Sequence, residues 1–65
     1  MFMQFETPKG EKILVNMTMV SFISKKKNGT SVLVLGEWET YEVSESYEDI
    51  MERLARRSQV LDFGL

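Results

Sequence analysis

Three consecutive lysines form the longest run of like charge in this sequence, directly before Asn28-Gly29. They are Lys25, Lys26 and Lys27. Basic side chains near exposed aromatic residues bind nucleic acid through phosphate contacts and base stacking. Lysines at the tip of a hairpin also stay in solvent and keep the sheet edges of two molecules from pairing. We favour the solvated hairpin, and the alternative is a nucleic-acid surface that Arg56 and Arg57 would complete.

The acidic side chains in the second half of the chain are the other group of residues that could take part in catalysis or metal binding. They are Glu37, Glu39, Glu42, Glu45, Glu48, Asp49 and Glu52. Paired carboxylates bind metal ions or transfer protons, but these follow the spacing of strand and helix surfaces. The chain has no histidine and no cysteine, so Cys/His zinc sites are excluded and no serine has a histidine base. We therefore predict no enzyme activity, no metal and no cofactor.

The length of 65 residues predicts a single domain, residues 1–65. A chain this short buries about 60% of its unfolded surface, so its core is thin, and no disulfide reinforces it. Self-association would bury additional apolar surface. The net charge is −2, with five lysines in residues 1–36 and eight acids in residues 37–65. This uneven distribution of charge suits contacts between copies of the chain.

No segment approaches the roughly 18 consecutive apolar residues that a membrane span needs. The opening MFMQFETPKG lacks the basic region and the long apolar stretch of a signal peptide. We therefore expect a cytoplasmic protein without a membrane span.

The segments MFMQFET, KILVN, VSFIS, TSVLVLG and WETYEV predict five short strands within residues 1–43. Most of them alternate apolar and polar residues with the period of two that a strand requires. Pro8 and Gly10 predict the first turn, and Asn28-Gly29 predicts a hairpin with a type I′ turn. The NMTM segment predicts a bend or a short helical turn. The fourth strand is apolar on both faces, which is typical of a central strand.

Residues 46–57 change to helical spacing, with Ser46 as a good N-cap and Asp49 as the weaker form of a capping-box partner. One apolar stripe runs along this helix, formed by Tyr47, Ile50 and Leu54. Two favourable ion pairs four residues apart are Asp49–Arg53 and Glu52–Arg56. The stripe should pack on a sheet face that the sequence leaves open, against Val20, Phe22, Val32 and Val34 or their neighbours.

These elements predict an α+β fold, namely a five-stranded antiparallel meander followed by one C-terminal helix. The meander would be an open twisted sheet or a small half-closed barrel. The sheet would occupy residues 1–43, the helix residues 46–57, and an apolar tail residues 58–65. The tail would either fold back on the sheet or add to another molecule as a strand.

Five apolar side chains are the contact residues that the sequence favours. They are Trp38, Val60, Leu61, Phe63 and Leu65. Trp38 follows a turn at Gly36 and would either anchor a partner or cap the sheet beneath the helix. The other four lie in the tail, which is too apolar for a free end.

A strand ending in Val15-Asn16, apolar strands at residues 20–23 and 32–35, and a Tyr-Glu-Val strand before Glu45-Ser46 form a recurring order of elements. In this order the chain resembles small flagellar proteins of the FlbD-like kind and related short bacterial and phage proteins. The resemblance covers residues 10–54. It implies a small non-enzymatic accessory protein that acts through contacts, and it carries over no catalytic residue.

The sequence thus predicts a small protein-interaction or regulatory module that acts by binding or assembly. Its partner would be another protein or a second copy of itself, in a homo-oligomer. The alternative is a nucleic-acid-binding β module that uses the lysine-rich turns.

Overall fold

The computed structural model describes residues 1–57, so the predicted tail of residues 58–65 lies outside the described residues. Its α+β class is confirmed, with five antiparallel strands and one helix. The strands are β1 (Phe2–Glu6), β2 (Lys12–Asn16), β3 (Val20–Lys25), β4 (Ser31–Leu35) and β5 (Glu39–Val43). The helix is α1 (Tyr47–Ala55), and a single 3-10 turn (Met17–Met19) joins β2 to β3, as the NMTM segment predicts.

The prediction of a single five-stranded meander is wrong, because the strands form two sheets. β1 pairs with β2, while β3, β4 and β5 form a separate sheet with β4 in its centre. The 3-10 turn accounts for the division. Asn16 caps this turn by accepting the backbone N–H of Thr18 at 3.1 Å, so the chain changes direction before β3 begins. Among the described strands no closed barrel forms.

The hairpin between β3 and β4 is confirmed, but its turn differs from the prediction. The N–H of Gly29 donates to the carbonyl of Lys26 at 3.2 Å, which places Lys27 and Asn28 at the centre of the turn. The predicted type I′ turn centred on Asn28-Gly29 is therefore wrong. Gly29 takes the left-handed position after the turn, with φ +91°, and Gly10 does the same in the β1–β2 hairpin, with φ +89°.

The core lies between the two sheets and the helix, and its buried members are Met3, Phe5, Val15, Leu33, Val43 and Ile50. The helix thus covers the sheet face of Leu33 and Val43. Phe22, Val32 and Val34, which we expected beneath the helix, lie on the other face of this sheet, because Val32 and Val34 alternate with Leu33 along β4 and Phe22 pairs with Val34. Phe22 is 59% exposed. A bulge between Val20 and Phe22 places these two residues on different faces, so Val20 still packs against the core.

The helix begins as the sequence predicts and ends slightly earlier. Ser46 is the N-cap, and its hydroxyl oxygen accepts the N–H of Asp49 at 3.1 Å. The helical residues end at Ala55, and Arg56 is the C-cap, so the predicted end at residue 57 is two residues late. Both predicted ion pairs form, namely Asp49–Arg53 and Glu52–Arg56.

Candidate functional site

The strand directions bring both lysine-bearing turns to one end of the molecule. β1 ends where β5 ends, because the N–H of Ser44 donates to the carbonyl of Glu6 at 2.7 Å, and the Ser44 hydroxyl donates to that of Thr7 at 3.1 Å. β5 in turn ends beside the start of β4 and the end of β3. We call this the lysine end. It carries Lys9, Lys12, Lys25, Lys26 and Lys27.

Two of the three consecutive lysines are engaged with acids of the fold. Lys25 lies 2.6 Å from the carboxylate of Glu48, and this hydrogen bond raises the pKa of Lys25 and lowers that of Glu48. Lys26 lies 3.4 Å from Glu42. The hydroxyl of Thr30, which donates to Glu42 at 2.6 Å, is the main cause that lowers the pKa of this carboxyl, and Lys26 adds to it. Two of these positive charges therefore lie beside an acidic side chain of the same chain, on the surface of the fold.

The two arginines of the predicted nucleic-acid surface do not join the lysines. Arg56 and Arg57 lie beside Phe2, at the beginning of β1, whereas the lysine-bearing turn follows the end of β1. The five candidate residues for nucleic acid therefore occupy two opposite ends of the described molecule. A nucleic-acid surface that uses all of them would have to span the length of β1.

The opposite end of the molecule collects exposed apolar side chains, and we call it the apolar end. The N–H of Met17 donates to the carbonyl of Met1 at 2.8 Å, and the N–H of Gly36 donates to that of Met19 at 3.0 Å. The hydroxyl of Ser21 also donates to the Gly36 carbonyl. These bonds hold the start of β1, the 3-10 turn and the β4–β5 turn at the same end of the molecule.

Five of the exposed large apolar residues belong to this end, and they are Met1, Phe2, Met19, Phe22 and Trp38. Trp38 is 81% exposed, so it does not cap the sheet beneath the helix. Two other exposed apolar residues, Leu14 and Tyr41, lie in the middle of β2 and β5. Within residues 1–57, five of the seven exposed large apolar side chains therefore lie toward this end of the fold.

One half of the apolar end is built from the helix and β1. Phe2, Arg53, Arg56 and Arg57, together with Met3 and Gln4, line an open depression of about 530 Å³. Arg53 donates to the backbone carbonyl of Gln4 at 3.1 Å and so holds the helix against the free edge of β1. Arg56 pairs with Glu52 on the surface, where both side chains are well exposed. We call this region the arginine half.

The other half of the apolar end is the β4–β5 turn, with Glu37, Trp38 and Glu39. All three are exposed, and within residues 1–57 neither glutamate forms an ion pair. Glu39 accepts the hydroxyl of Tyr41 at 2.6 Å, and this hydrogen bond raises the pKa of Tyr41. We call this region the glutamate half. The apolar end therefore has an acidic region around Trp38 and arginines around Phe2.

The described residues contain no group of side chains suited to hold a metal ion. Several of the acids instead form ion pairs or accept hydrogen bonds from the fold. Glu45, for example, accepts the N–H of Glu6 with both carboxylate oxygens, at 3.1 and 3.2 Å. The one buried polar residue among those described, Ser31, donates its hydroxyl to the carbonyl of Glu45 at 2.8 Å, which is a structural bond. Within the same residues, α1 is too short and too polar to cross a membrane.

Four residues of the apolar end were not predicted from the sequence, and they are Met1, Phe2, Met19 and Phe22. The signal for Phe2 is present in the sequence, because Met3 and Phe5 define the buried face of the first strand and leave Phe2 on the other face. Phe22 gives no such signal, since its exposure depends on the bulge in β3. The four predicted contact residues of the tail lie outside the described residues.

In comparisons with known proteins, no family model matches the chain, and no curated protein and no solved structure matches it.

Proposed function

We propose that this protein is a small non-enzymatic module that works by binding protein surfaces, with assembly with itself as one mode of action. The observation that carries the proposal is the collection of Met1, Phe2, Met19, Phe22 and Trp38 at one end of the fold. The exposed part of each of these side chains adds nothing to the stability of the core while it faces water. They become favourable when a partner removes their apolar surface from solvent.

Trp38 is the residue we assign as the main anchor of this surface. Tryptophan dominates the binding energy of many interfaces because its large ring buries much apolar area with few rotatable bonds. The β4–β5 turn that carries it is tied to the 3-10 turn by the bond from Gly36 to Met19. A turn fixed in this way loses little conformational entropy on binding.

Regulation would follow from the same surface. A module that covers an apolar site on one partner excludes any other protein that needs the same site, so it acts by occlusion without any chemistry. The resemblance to small flagellar accessory proteins is in line with such a role.

Site-specific photo-crosslinking tests the proposal. A photoreactive phenylalanine derivative replaces Trp38 in one variant and Leu14 in a matched control, since Leu14 is also apolar and 68% exposed but lies in the middle of β2. In lysate of the native host, we expect the variant at position 38 to give discrete adducts with a protein partner or with a second copy. Equal and diffuse labelling from both positions would contradict the proposal.

A nucleic-acid function is the second candidate, and one observation favours it: all five lysines share the lysine end. Lysine contacts with phosphate release counterions, so binding would weaken steeply as salt rises. Short RNA and DNA should then bind at low salt, and a variant with Lys25, Lys26 and Lys27 replaced by alanine should lose this binding. Absence of binding at low salt would eliminate this candidate.

A further inference from the structure

We infer that the apolar end binds a second copy of this chain across a two-fold axis, so that Trp38 of each copy enters the depression beside Phe2 of the other. The inference rests on the proposed function, because it identifies the partner of the same apolar surface. It makes the protein a symmetric dimer with two identical Trp38 contacts.

The distribution of charge is the first argument. The glutamate half holds Glu37 and Glu39 without an ion pair among residues 1–57, while the arginine half holds three guanidinium groups around Phe2. In a two-fold interface the contacts are reciprocal. If the glutamate half of one copy contacts the arginine half of the second copy, the arginine half of the first copy also contacts the glutamate half of the second. Rotation of one copy by half a turn therefore places glutamates against arginines in both contacts.

The shape of the apolar end is the second argument. Trp38 protrudes from a turn and is 81% exposed, whereas the arginine half is concave, with about 530 Å³ of open space. A protruding indole and a concave site with arginines are complementary, since guanidinium groups stack favourably on aromatic faces. The two features belong to one end of one chain, so each copy supplies both.

Other arrangements of two copies fit the surface less well. Contact between two glutamate halves would bring four uncompensated carboxylates together, two from each copy. Head-to-tail contact would place the apolar end on the lysine end, and the two turns there, at residues 7–11 and 26–30, carry no exposed large apolar side chain. Of these three arrangements, only the two-fold one both buries apolar surface on each copy and pairs opposite charges.

The internal ion pair of Arg56 does not prevent this contact. Arg56 and Glu52 have side chains that are 73% and 61% exposed. Ion pairs this exposed contribute little to stability, so the guanidinium group can turn toward a carboxylate of the second copy at small cost. Arg53 is held more firmly, by the Gln4 carbonyl and Asp49, and forms the fixed wall of the depression.

Reciprocal charge reversal tests the arrangement by sedimentation equilibrium on the full chain. One variant carries Glu37→Lys and Glu39→Lys, and a second carries Arg56→Glu and Arg57→Glu. We expect the unaltered chain to form dimers, and each variant alone to dimerise about tenfold or more weakly, because both contacts oppose like charges. An equimolar mixture of the two variants should restore the dimer, and so should one chain that carries all four changes.

Several results would overturn the inference. These are a monomer at every concentration, species that grow beyond the dimer as concentration rises, an unchanged dimer in the Arg56→Glu/Arg57→Glu variant, or no recovery in the mixture. Trp38→Ala is a further variant and should weaken the dimer by about tenfold or more if the indole is an anchor. Far-ultraviolet circular dichroism confirms that each variant is folded, and the mixture serves where the fourfold variant does not fold.

The same measurements separate this inference from the proposed function. A chain that stays monomeric while position 38 crosslinks to a different protein removes the dimer and leaves the interaction module. If the chain forms dimers that neither charge reversal weakens, the interface assigned here is wrong. If positions 38 and 14 give the same crosslinking pattern, the proposed function itself is contradicted.

Discussion

The carboxylate of Glu45 accepts the backbone N–H of Glu6 with both oxygens, at 3.1 and 3.2 Å, while the adjacent Ser44 N–H donates to the carbonyl of Glu6 at 2.7 Å. Residues 44 and 45 thus satisfy both backbone groups of Glu6 on the free edge of β1. They join the two-stranded sheet to the three-stranded sheet where no strand ladder does. A side chain here replaces part of a strand partner, and it also covers an edge that would otherwise be open to pairing.

Replacement of Glu45 with alanine should destabilise the fold. The carboxylate is 15% exposed, and a hydrogen bond to a charged group contributes about 1.5–3 kcal/mol. We expect the free energy of unfolding in urea to fall by about that amount, and Glu45→Gln to lose less because one acceptor oxygen remains. Glu11→Ala is the control, since Glu11 is exposed, forms no ion pair in residues 1–57 and lies at the lysine end. Equal losses for Glu45→Ala and Glu11→Ala would contradict the role given to this bond.

Truncation of Phe5 and of Phe22 should destabilise the fold to very different extents. Phe5 is 0% exposed in the core, so Phe5→Ala should cost about 3–5 kcal/mol of unfolding free energy. Phe22 is 59% exposed, so Phe22→Ala should cost less than about 1 kcal/mol, the range of strand propensities. Thermal melting followed by circular dichroism gives both values. A large loss for Phe22 that does not change with protein concentration would mean that its side chain belongs to the core.

The turn glycine Gly29 should tolerate asparagine better than alanine. A Cβ added at Gly29 meets no atom within 4 Å, so the cost of substitution comes from the backbone alone, at φ +91°. This conformation disfavours an ordinary side chain by about 1–2 kcal/mol, and asparagine adopts it more readily. Urea unfolding should rank the variants in the order glycine, asparagine, alanine. An alanine variant as stable as the parent would show that this backbone conformation is not required.

The stability of the fold should decrease at pH values below the usual pKa range of carboxyl groups. The pKa values of Glu48 and Glu42 are lowered in the folded chain, the first by its bond to Lys25 and the second mainly by its bond to Thr30. Their contribution is therefore present above the ordinary value of 4.5 and is lost as the pH falls through the lowered folded values. In Glu48→Gln, melting temperatures between neutral and acid pH should decline less. An unchanged acid decline in this variant would contradict the assignment to Glu48.

Stability should also decrease at alkaline pH, and there the cause is raised pKa values in the folded chain. The pKa of Lys25 is raised by its hydrogen bond to Glu48, and that of Tyr41 by its hydrogen bond to Glu39. Both contributions are complete below the ordinary values of 10.5 and 10.0, and they are lost as the pH rises through the raised folded values. Lys25→Met should remove the part due to Lys25. Spectrophotometric titration should show the raised pKa of Tyr41, and the loss of this shift in Glu39→Gln is the check.

Local features of the fold were predictable because each depends on residues close together in the sequence. Ser46 caps the helix through a bond to the N–H three residues on, and Asn16 caps the 3-10 turn through a bond two residues on. The Glu52–Arg56 pair needs only the spacing of the helix itself. The hairpin at Gly29 was also correct, although hydrogen bonding sets the centre of its turn one residue earlier than the sequence suggests.

The sequence by itself therefore determined the α+β class, the elements in their order, and the poverty of reactive side chains, because composition and short-range spacing are sufficient for these. Only the tertiary structure decided that the strands form two sheets, that Phe22 faces solvent, and that Lys25 pairs with Glu48 across 23 positions of the chain. A bulge in β3 and a 3-10 turn after β2 redirect every residue that follows them. The apolar end exists for the same reason, since Phe2 and Trp38 come to the same end of the fold only once distant strands are hydrogen bonded together.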